Sequence, residues 1–543
     1  MALHTLEPSE DPSTAYDSDS RSTTPDLYMK PKEKAAVVQS EGEGVVDAIG
    51  LLPDEVYERT LNPWRFALRR LLVRSLAWES RVIGSIQRAT RTPFLDEYFV
   101  HTSSLGTHTF FMTMLPALLF FGYQDATRAL LFVLALGVYV SSVLKDLMCS
   151  PRPFAPPVTR LTTRNTHHME YGFPSTHSTN SISIALFFFT IIHRLHNTPS
   201  TTLSPPIMSS DPLLQNATHI AEDILPEMQI SLTTYIICVS TLTFYVFSIV
   251  FGRIYTGMHS FVDCACGAAL GAGLWGLYVL VGETVDSWLR NSGWIVPIIV
   301  VPFCLLLVHR HPEPVDDCPC FEDAIAFMSV VMGEFLTRWY MYRNNYDETF
   351  FVRSMPGKAR GTWSEMQLWW SIAAAKMVVG ILAIFAWRIF AKALMHRVLP
   401  PIFRLLARLT TLPHRRYYTP ATDYTGVPSE KGLHPIPSVL DLPGMLELDS
   451  DSVSTAHKPY ALSSQAIKLR AGKGTVKFEK SANITAASRE GLGLGLQEMG
   501  GKRGDVVAHY DADVLTKVFV YCGIGMLASG VMPVMFEVVG WGL

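Results

Sequence analysis

The chain is short of charge. Of its 543 residues only 17% are Asp, Glu, Lys or Arg, while 48% are hydrophobic. With a mean hydropathy of +0.21, that balance argues against an ordinary soluble globular protein. Nor is there an excess of either sign. The formal net charge is −3, which removes the basic signature needed to neutralise nucleic-acid phosphates, so no nucleic-acid partner is expected. Cysteine is sparse and poorly spaced for zinc: the eight residues are scattered, and Cys264/Cys266 and Cys318/Cys320 are C-x-C pairs, not C-x-x-C. No metal and no cofactor is expected. The first residues are polar and acidic, so no cleavable signal peptide is expected. No solenoid-type repeat is evident, and Gly491-Leu-Gly-Leu-Gly, with no strand before it, reads as flexible linker and not as a nucleotide fingerprint.

What the chain does have is long apolar runs. About 20 consecutive apolar residues cross a bilayer, and runs of that kind lie near 104–123, 127–148, 178–195, 230–251, 261–281, 293–310, 322–341, 367–391 and 513–538. The run over 322–341 carries Glu322, Asp323, Glu334 and Arg338, so it is expected to be partly buried or interfacial. The fold class expected is therefore all-α: a polytopic membrane protein with about eight or nine transmembrane helices and disordered tails. Residues 1–58 are rich in Ser, Pro, Asp and Glu and are expected to form a disordered tail. Residues 59–100 are expected to form amphipathic interfacial helices, because Arg65, Arg69, Arg70, Arg74, Arg81, Arg88 and Arg91 alternate with Leu, Trp and Ile. A helix packed on the membrane domain is the equal alternative. A membrane domain then covers 101–310, with a polar loop at 196–229. Further membrane-embedded helices cover 311–400, a low-complexity disordered segment 401–511, and a last transmembrane helix 512–543.

Three polar clusters stand at the ends of these runs, where charge beside hydrocarbon costs of order 2.5–3.5 kcal/mol each at a bilayer centre. In the first, Lys145 is followed seven positions later by Arg152, between Pro151 and Pro153, which end the helix and fix the chain direction. Arg grips a phosphate bidentately and Lys offers a point charge. The second is Pro174-Ser175-Thr176-His177. It opens a helix, where free N–H groups favour an anion. Ser175 can donate to a phosphate oxygen, and a protonated His177 can supply the proton for a leaving alkoxide. The third runs from Arg253 to His259 and Asp263. Spacing of four predicts that His259 and Asp263 share a helical face, the carboxylate fixing one ring nitrogen while the other attacks phosphorus. Arg253 can neutralise the phosphoryl oxygens. Counting spans places all three clusters on one membrane face.

The pattern K-x6-RP, then PSxH, then R-x5-H-x3-D resembles the signature of the type 2 phosphatidic acid phosphatase (PAP2) superfamily over about residues 95–310, with Thr176 where that family has Gly and Gly252 where it has Ser. The resemblance implies a helical-bundle lipid phosphate phosphatase that needs no metal. In it His259 would be the nucleophile, Asp263 its orienting partner, and His177 the acid and then the base. Lys145, Arg152, Ser175 and Arg253 would hold the phosphate. Thr176 and the segment Leu105-Gly-Thr-His-Thr-Phe-Phe are similar to the sphingosine-phosphate phosphatase branch. That branch implies a membrane lipid substrate, dihydrosphingosine or phytosphingosine 1-phosphate, and a multi-pass protein of the endoplasmic reticulum with a lumenal site. The clustered arginines, by the positive-inside rule, favour a cytosolic site instead. Three alternatives remain open at this point: a lipid phosphotransferase, a broad lipid phosphate phosphatase, and a non-enzymatic headgroup binder.

Overall fold

The computed structural model describes residues 49–106, 108–162, 170–197, 230–346, 350–358, 361–423 and 509–542. The tail over 1–48, the loop over 198–229 and the segment over 424–508 lie outside the described residues, and with them the Gly491 run. Among the described residues the chain is helical, with no β-strand. A short α1 (Asp54–Thr60) leads into α2 (Pro63–Thr90), which Pro63 starts at its first position, where a missing N–H does no harm. Then come α3 (Pro93–Thr102), capped by the Thr92 hydroxyl, and α4 (His108–Phe120). The helices that carry the polar clusters are α5 (Gln124–Met148), α6 (Thr176–Asn197), α7 (Leu232–Tyr255) and α8 (Phe261–Asn291). They are followed by α9 (Ile295–Arg310), α10 (Cys320–Arg343), the long α11 (Trp363–Ala407) and α12 (Asp511–Val539), the last interrupted by a π turn at Leu527–Val531.

Five of these, α5, α7, α8, α11 and α12, are long and apolar enough to cross a membrane, and α9 is a shorter apolar helix. The other expected spans are helical but differ in character. α4 has only 13 residues and contains Pro116. α6 opens on a hydroxyl-rich turn, with Ser178, Thr179, Asn180, Ser181 and Ser183 buried. α10 buries Glu322, Asp323 and Glu334. In α6 and α10 the polar faces turned inward lower the mean hydropathy without exposing charge to hydrocarbon, whereas α4 is apolar but short.

α6 packs against α5, α7 and α8, while α10 packs against α5 and α12. Two glycines allow the close approach of α6 and α8. A Cβ on Gly267 would lie 2.5 Å from the Ser175 carbonyl oxygen, and one on Gly271 2.2 Å from that of Thr179. Backbone contact between α6 and α8 therefore requires Gly at both positions. Around it the core is aromatic and aliphatic, with Phe120, Leu134, Phe187, Tyr521 and Phe536 among its buried members. The buried Lys376 ammonium donates to the Phe120 and Gly542 carbonyls, tying α4, α11 and the end of the chain together away from the polar clusters.

The boundaries expected for the tails move. Residues 49–58 are ordered: Tyr57 is fully buried, its hydroxyl donates to Asp316 at 2.8 Å, and the Arg69 guanidinium lies 3.5 Å over its ring. Residues 401–423 are ordered too. α11 continues through Pro400 and Pro401, Arg404 donates to the Ala421 carbonyl at 2.8 Å, and Arg415 stacks 3.5 Å over Phe321. Composition suggested disorder in both stretches. A few aromatic and guanidinium anchors suffice to hold them. Cys318 and Cys320 are joined as a disulfide at the start of α10.

Candidate active site

α5 ends at Cys149, which adopts the left-handed conformation (φ 51°), and the chain turns through Pro151 and Pro153. This turn brings Arg152 back towards Lys145. Both side chains are buried, and both meet the carboxylate of Glu170. Lys145 Nζ donates to Glu170 Oε2 at 2.7 Å and Arg152 Nη2 to the same oxygen at 3.4 Å. Arg152 Nε also donates to the Glu170 backbone carbonyl at 3.1 Å. One half-buried carboxylate thus balances two buried cations that would otherwise repel in a low dielectric.

The second cluster meets the third through the backbone. The Ser175 N–H donates to the Asp263 carbonyl at 3.1 Å. Ser175 is fully buried, and its Oγ accepts from Ser178 N at 3.3 Å and Ser178 Oγ at 3.0 Å. His177 lies in the first turn of α6, half-buried. Thr176, the departure from the family's Gly, pairs its hydroxyl with Ser141 of α5 at 3.0 Å.

Arg253 is buried in the last turn of α7, and among the described residues its Nε has no hydrogen-bond partner. Its carbonyl accepts from the N–H groups of Met258 and His259, folding the chain back on itself. Gly257 makes that turn possible with φ 68°, and a Cβ there would lie 2.4 Å from Val158.

The third cluster differs from its helical-face reading. His259 precedes α8, whose N-cap is Ser260. Asp263 closes a capping box: its Oδ2 accepts the Ser260 N–H at 2.8 Å, and the Ser260 hydroxyl accepts the Asp263 N–H at 3.1 Å. Asp263 Oδ2 stands 3.9 Å from His259 Nδ1, beyond a hydrogen bond. The Gly172 carbonyl takes that place, accepting from Nδ1 at 2.8 Å. Nδ1 therefore carries the proton, and Nε2 presents its lone pair 3.2 Å from Arg152 Nη1. Arg152 Nη1 also donates to the Met258 carbonyl at 2.9 Å. Gly172 reaches its position because it has no side chain: a Cβ would lie 2.6 Å from the Pro151 carbonyl oxygen.

Burial, and after it the charges of Arg152, Arg253, Lys145 and His177, hold the His259 imidazole well below the ordinary histidine value of 6.5. A neutral ring is the form that can attack. Protonation of His259 would remove the Nε2 lone pair, and a depressed pKa moves that loss to lower pH. The acid limb of kcat/KM assigned to His259 is expected well below pH 6.5, and a limb from this group at or above 6.5 in a pH–rate profile would contradict the arrangement.

All seven residues singled out from sequence belong to this one assembly. Glu170 and Gly172 were not foreseen. The signal for Glu170 was charge balance, a lone carboxylate in the loop between two cation-bearing segments. Gly172 carried no signal beyond its nearness to Pro174.

The PAP2 superfamily profile matches residues 126–286, the stretch that carries every one of these residues. A dihydrosphingosine 1-phosphate phosphatase of Saccharomyces cerevisiae is 33% identical over 58% of this chain and 70% of its own length. Another of that name, from Schizosaccharomyces pombe, is 30% identical over 73% of this chain and 83% of its own. The lipid phosphate phosphatase delta of Arabidopsis thaliana is 26% identical over 51% of this chain and 59% of its own. No solved structure matches significantly. With fungal relatives covering most of their own length and the motif residues assembled in one place, the chain belongs to the PAP2 superfamily.

Proposed function

We propose that this lipid phosphate phosphatase hydrolyses sphingoid long-chain-base 1-phosphates, dihydrosphingosine and phytosphingosine 1-phosphate, through a phosphohistidine intermediate. The observation that carries the chemistry is the His259 ring, neutral, fixed at Nδ1 by the Gly172 carbonyl, with Nε2 turned to Arg152. The names of the fungal relatives support dihydrosphingosine 1-phosphate as the substrate.

In this reading the phosphate monoester enters as an anion among Lys145, Arg152, Ser175 and Arg253, and takes over the cations that Glu170 bridges. His259 Nε2 attacks phosphorus and the P–O bond to the lipid breaks. His177 gives its proton to the leaving alkoxide. His177 then takes a proton from water, whose oxygen attacks the phosphohistidine, releasing phosphate and restoring His259. Asp263 acts at one remove, fixing the start of α8 and with it the position of His259. The fixed cations neutralise charge that a metal ion neutralises in other phosphoryl-transfer enzymes, so chelator is expected to leave turnover unchanged.

The deciding assay is phosphate release by purified protein from dihydrosphingosine 1-phosphate, with phosphatidate as control and chelator present. Equal rates on both lipids would indicate a broad phosphatase. Transfer to an alcohol without free phosphate would indicate a phosphotransferase. Substitution of Glu170 by glutamine tests the exchange of anions. Removing the competing carboxylate is expected to tighten inhibition by inorganic phosphate roughly tenfold, about 1.4 kcal/mol. It is also expected to lower the melting temperature of the substrate-free protein, because Lys145 and Arg152 lose their counter-charge.

The placement proposed is the endoplasmic reticulum membrane, with about eight or nine crossings and the site facing the lumen. Asn216-Ala-Thr218 lies between α6 and α7, whose far ends carry the site, and Asn483-Ile-Thr485 lies between α11 and α12. A lumenal site predicts glycan at Asn483 and none at Asn216, and glycan at Asn216 would reverse the orientation.

A further inference from the structure

α2 has three faces, each of a different chemistry. At 3.6 residues per turn, Trp64, Leu68, Leu71 and Trp78 fall on one strip, and all four are exposed. Arg70, Arg74, Arg81 and Arg88 fall on the adjoining strip, also exposed. Among the described residues none of these four arginines is ion-paired, and their contacts stay within the helix, such as Arg88 to the Ser85 hydroxyl and Arg70 near the Phe66 ring. The acidic residue on the helix, Glu79, is buried and points the other way, accepting the Val262 N–H at 3.1 Å.

The third face sets the depth of α2. Arg65 donates to the Asp146 and Leu147 carbonyls at the end of α5. Gln87 donates to the Tyr255 carbonyl at the end of α7 and to that of Thr159, both at 2.8 Å. Glu79 holds the start of α8. α5, α7 and α8 are three of the helices long and apolar enough to span a bilayer, and α2 lies across their ends on the face that carries the site. Hydrocarbon gives way to headgroups at such ends. There the Trp/Leu strip can enter the acyl boundary while the arginine strip lies among headgroups.

We propose that α2 is a docking face for anionic phospholipid, the Trp64–Trp78 strip inserting and Arg70, Arg74, Arg81 and Arg88 binding the negative headgroups. A neutral apolar partner would leave four arginines without counter-charge. A nucleic acid would leave the tryptophan and leucine strip in water. An anionic membrane surface satisfies both strips at once.

The test is hydrogen exchange over residues 63–90 in the full chain, reconstituted into phosphatidylcholine vesicles with and without roughly one phosphatidylserine in five. Exchange is expected to be about tenfold slower in the anionic vesicles, and the difference to shrink at high salt as the surface charge is screened. A variant carrying Arg70→Gln, Arg74→Gln, Arg81→Gln and Arg88→Gln is expected to exchange alike in both. Its α7 and α8 segments should match wild type in neutral vesicles, which checks that it is folded, and the salt titration on wild type stands without it. Wild-type exchange that is equal in the two vesicles overturns the proposal. Equally slow exchange in both would mean that another part of the chain or a second copy covers the face. A salt-insensitive difference, or one retained by the glutamine variant, also overturns it.

Discussion

Replacing His259 with alanine is expected to abolish phosphate release, by roughly 10⁴-fold or more, while the protein remains inserted and folded. The size of the loss follows from the arrangement. Phosphate monoesters hydrolyse extremely slowly without help. In the proposed mechanism the cations at Lys145, Arg152 and Arg253 lower the barrier only for an attack that something must deliver. His259 Nε2, turned towards Arg152, is the proposed nucleophile. Without it the remaining site can bind phosphate and stabilise charge but has no group to take the phosphoryl. The fold loses little. The ring makes one short hydrogen bond to backbone, to the Gly172 carbonyl, worth about 1 kcal/mol net. Phosphate release and a thermal melt on the same preparation separate the two effects. Turnover within a few-fold of wild type would place the nucleophile elsewhere and remove the phosphohistidine step.

The sequence was legible wherever the chemistry is local. Lys145 and Arg152 share one helix end and its proline turn, Ser175 and His177 one helix start, and Arg253 and His259 one return loop. Spacing along the chain therefore stands in for spacing in space. It failed where partners come from distant segments. Glu170 and Gly172 lie in a loop without periodicity, and their roles are set by how that loop packs under Pro151. The reading of His259 and Asp263 as one helical face erred for a local reason that the sequence did contain. Ser260-Phe-Val-Asp263 has the form of a capping box, which starts the helix after His259 and claims the carboxylate for the Ser260 N–H. The helices were legible as apolar runs. The inward polar face of α10 was legible from the charges in its run, but that of α6 was not, because hydropathy averages over the circumference that burial divides.

Arg152→Lys, which keeps the charge, is expected to cost about 10²–10³-fold in kcat/KM, mostly in kcat. Arg152 uses its whole fork. Nε donates to the Glu170 carbonyl at 3.1 Å, Nη2 faces the Glu170 carboxylate at 3.4 Å, and Nη1 reaches the Met258 carbonyl at 2.9 Å and His259 Nε2 at 3.2 Å. It therefore links the loop that carries Glu170 to the loop that carries His259. A lysine ammonium is a point charge on a flexible stem and cannot hold both loops in one plane. Ground-state attraction for a phosphate dianion depends mainly on total charge, which Lys145, Arg253 and the new lysine preserve, so KM should move little. In the proposed reaction the transition state also needs donors fixed on the equatorial oxygens while Nε2 is held in line with the leaving oxygen, and a small misplacement there is felt as rate. An effect confined to KM would mean that Arg152 serves only as charge. A fall in kcat at nearly constant KM would show that its fork geometry is what the reaction uses.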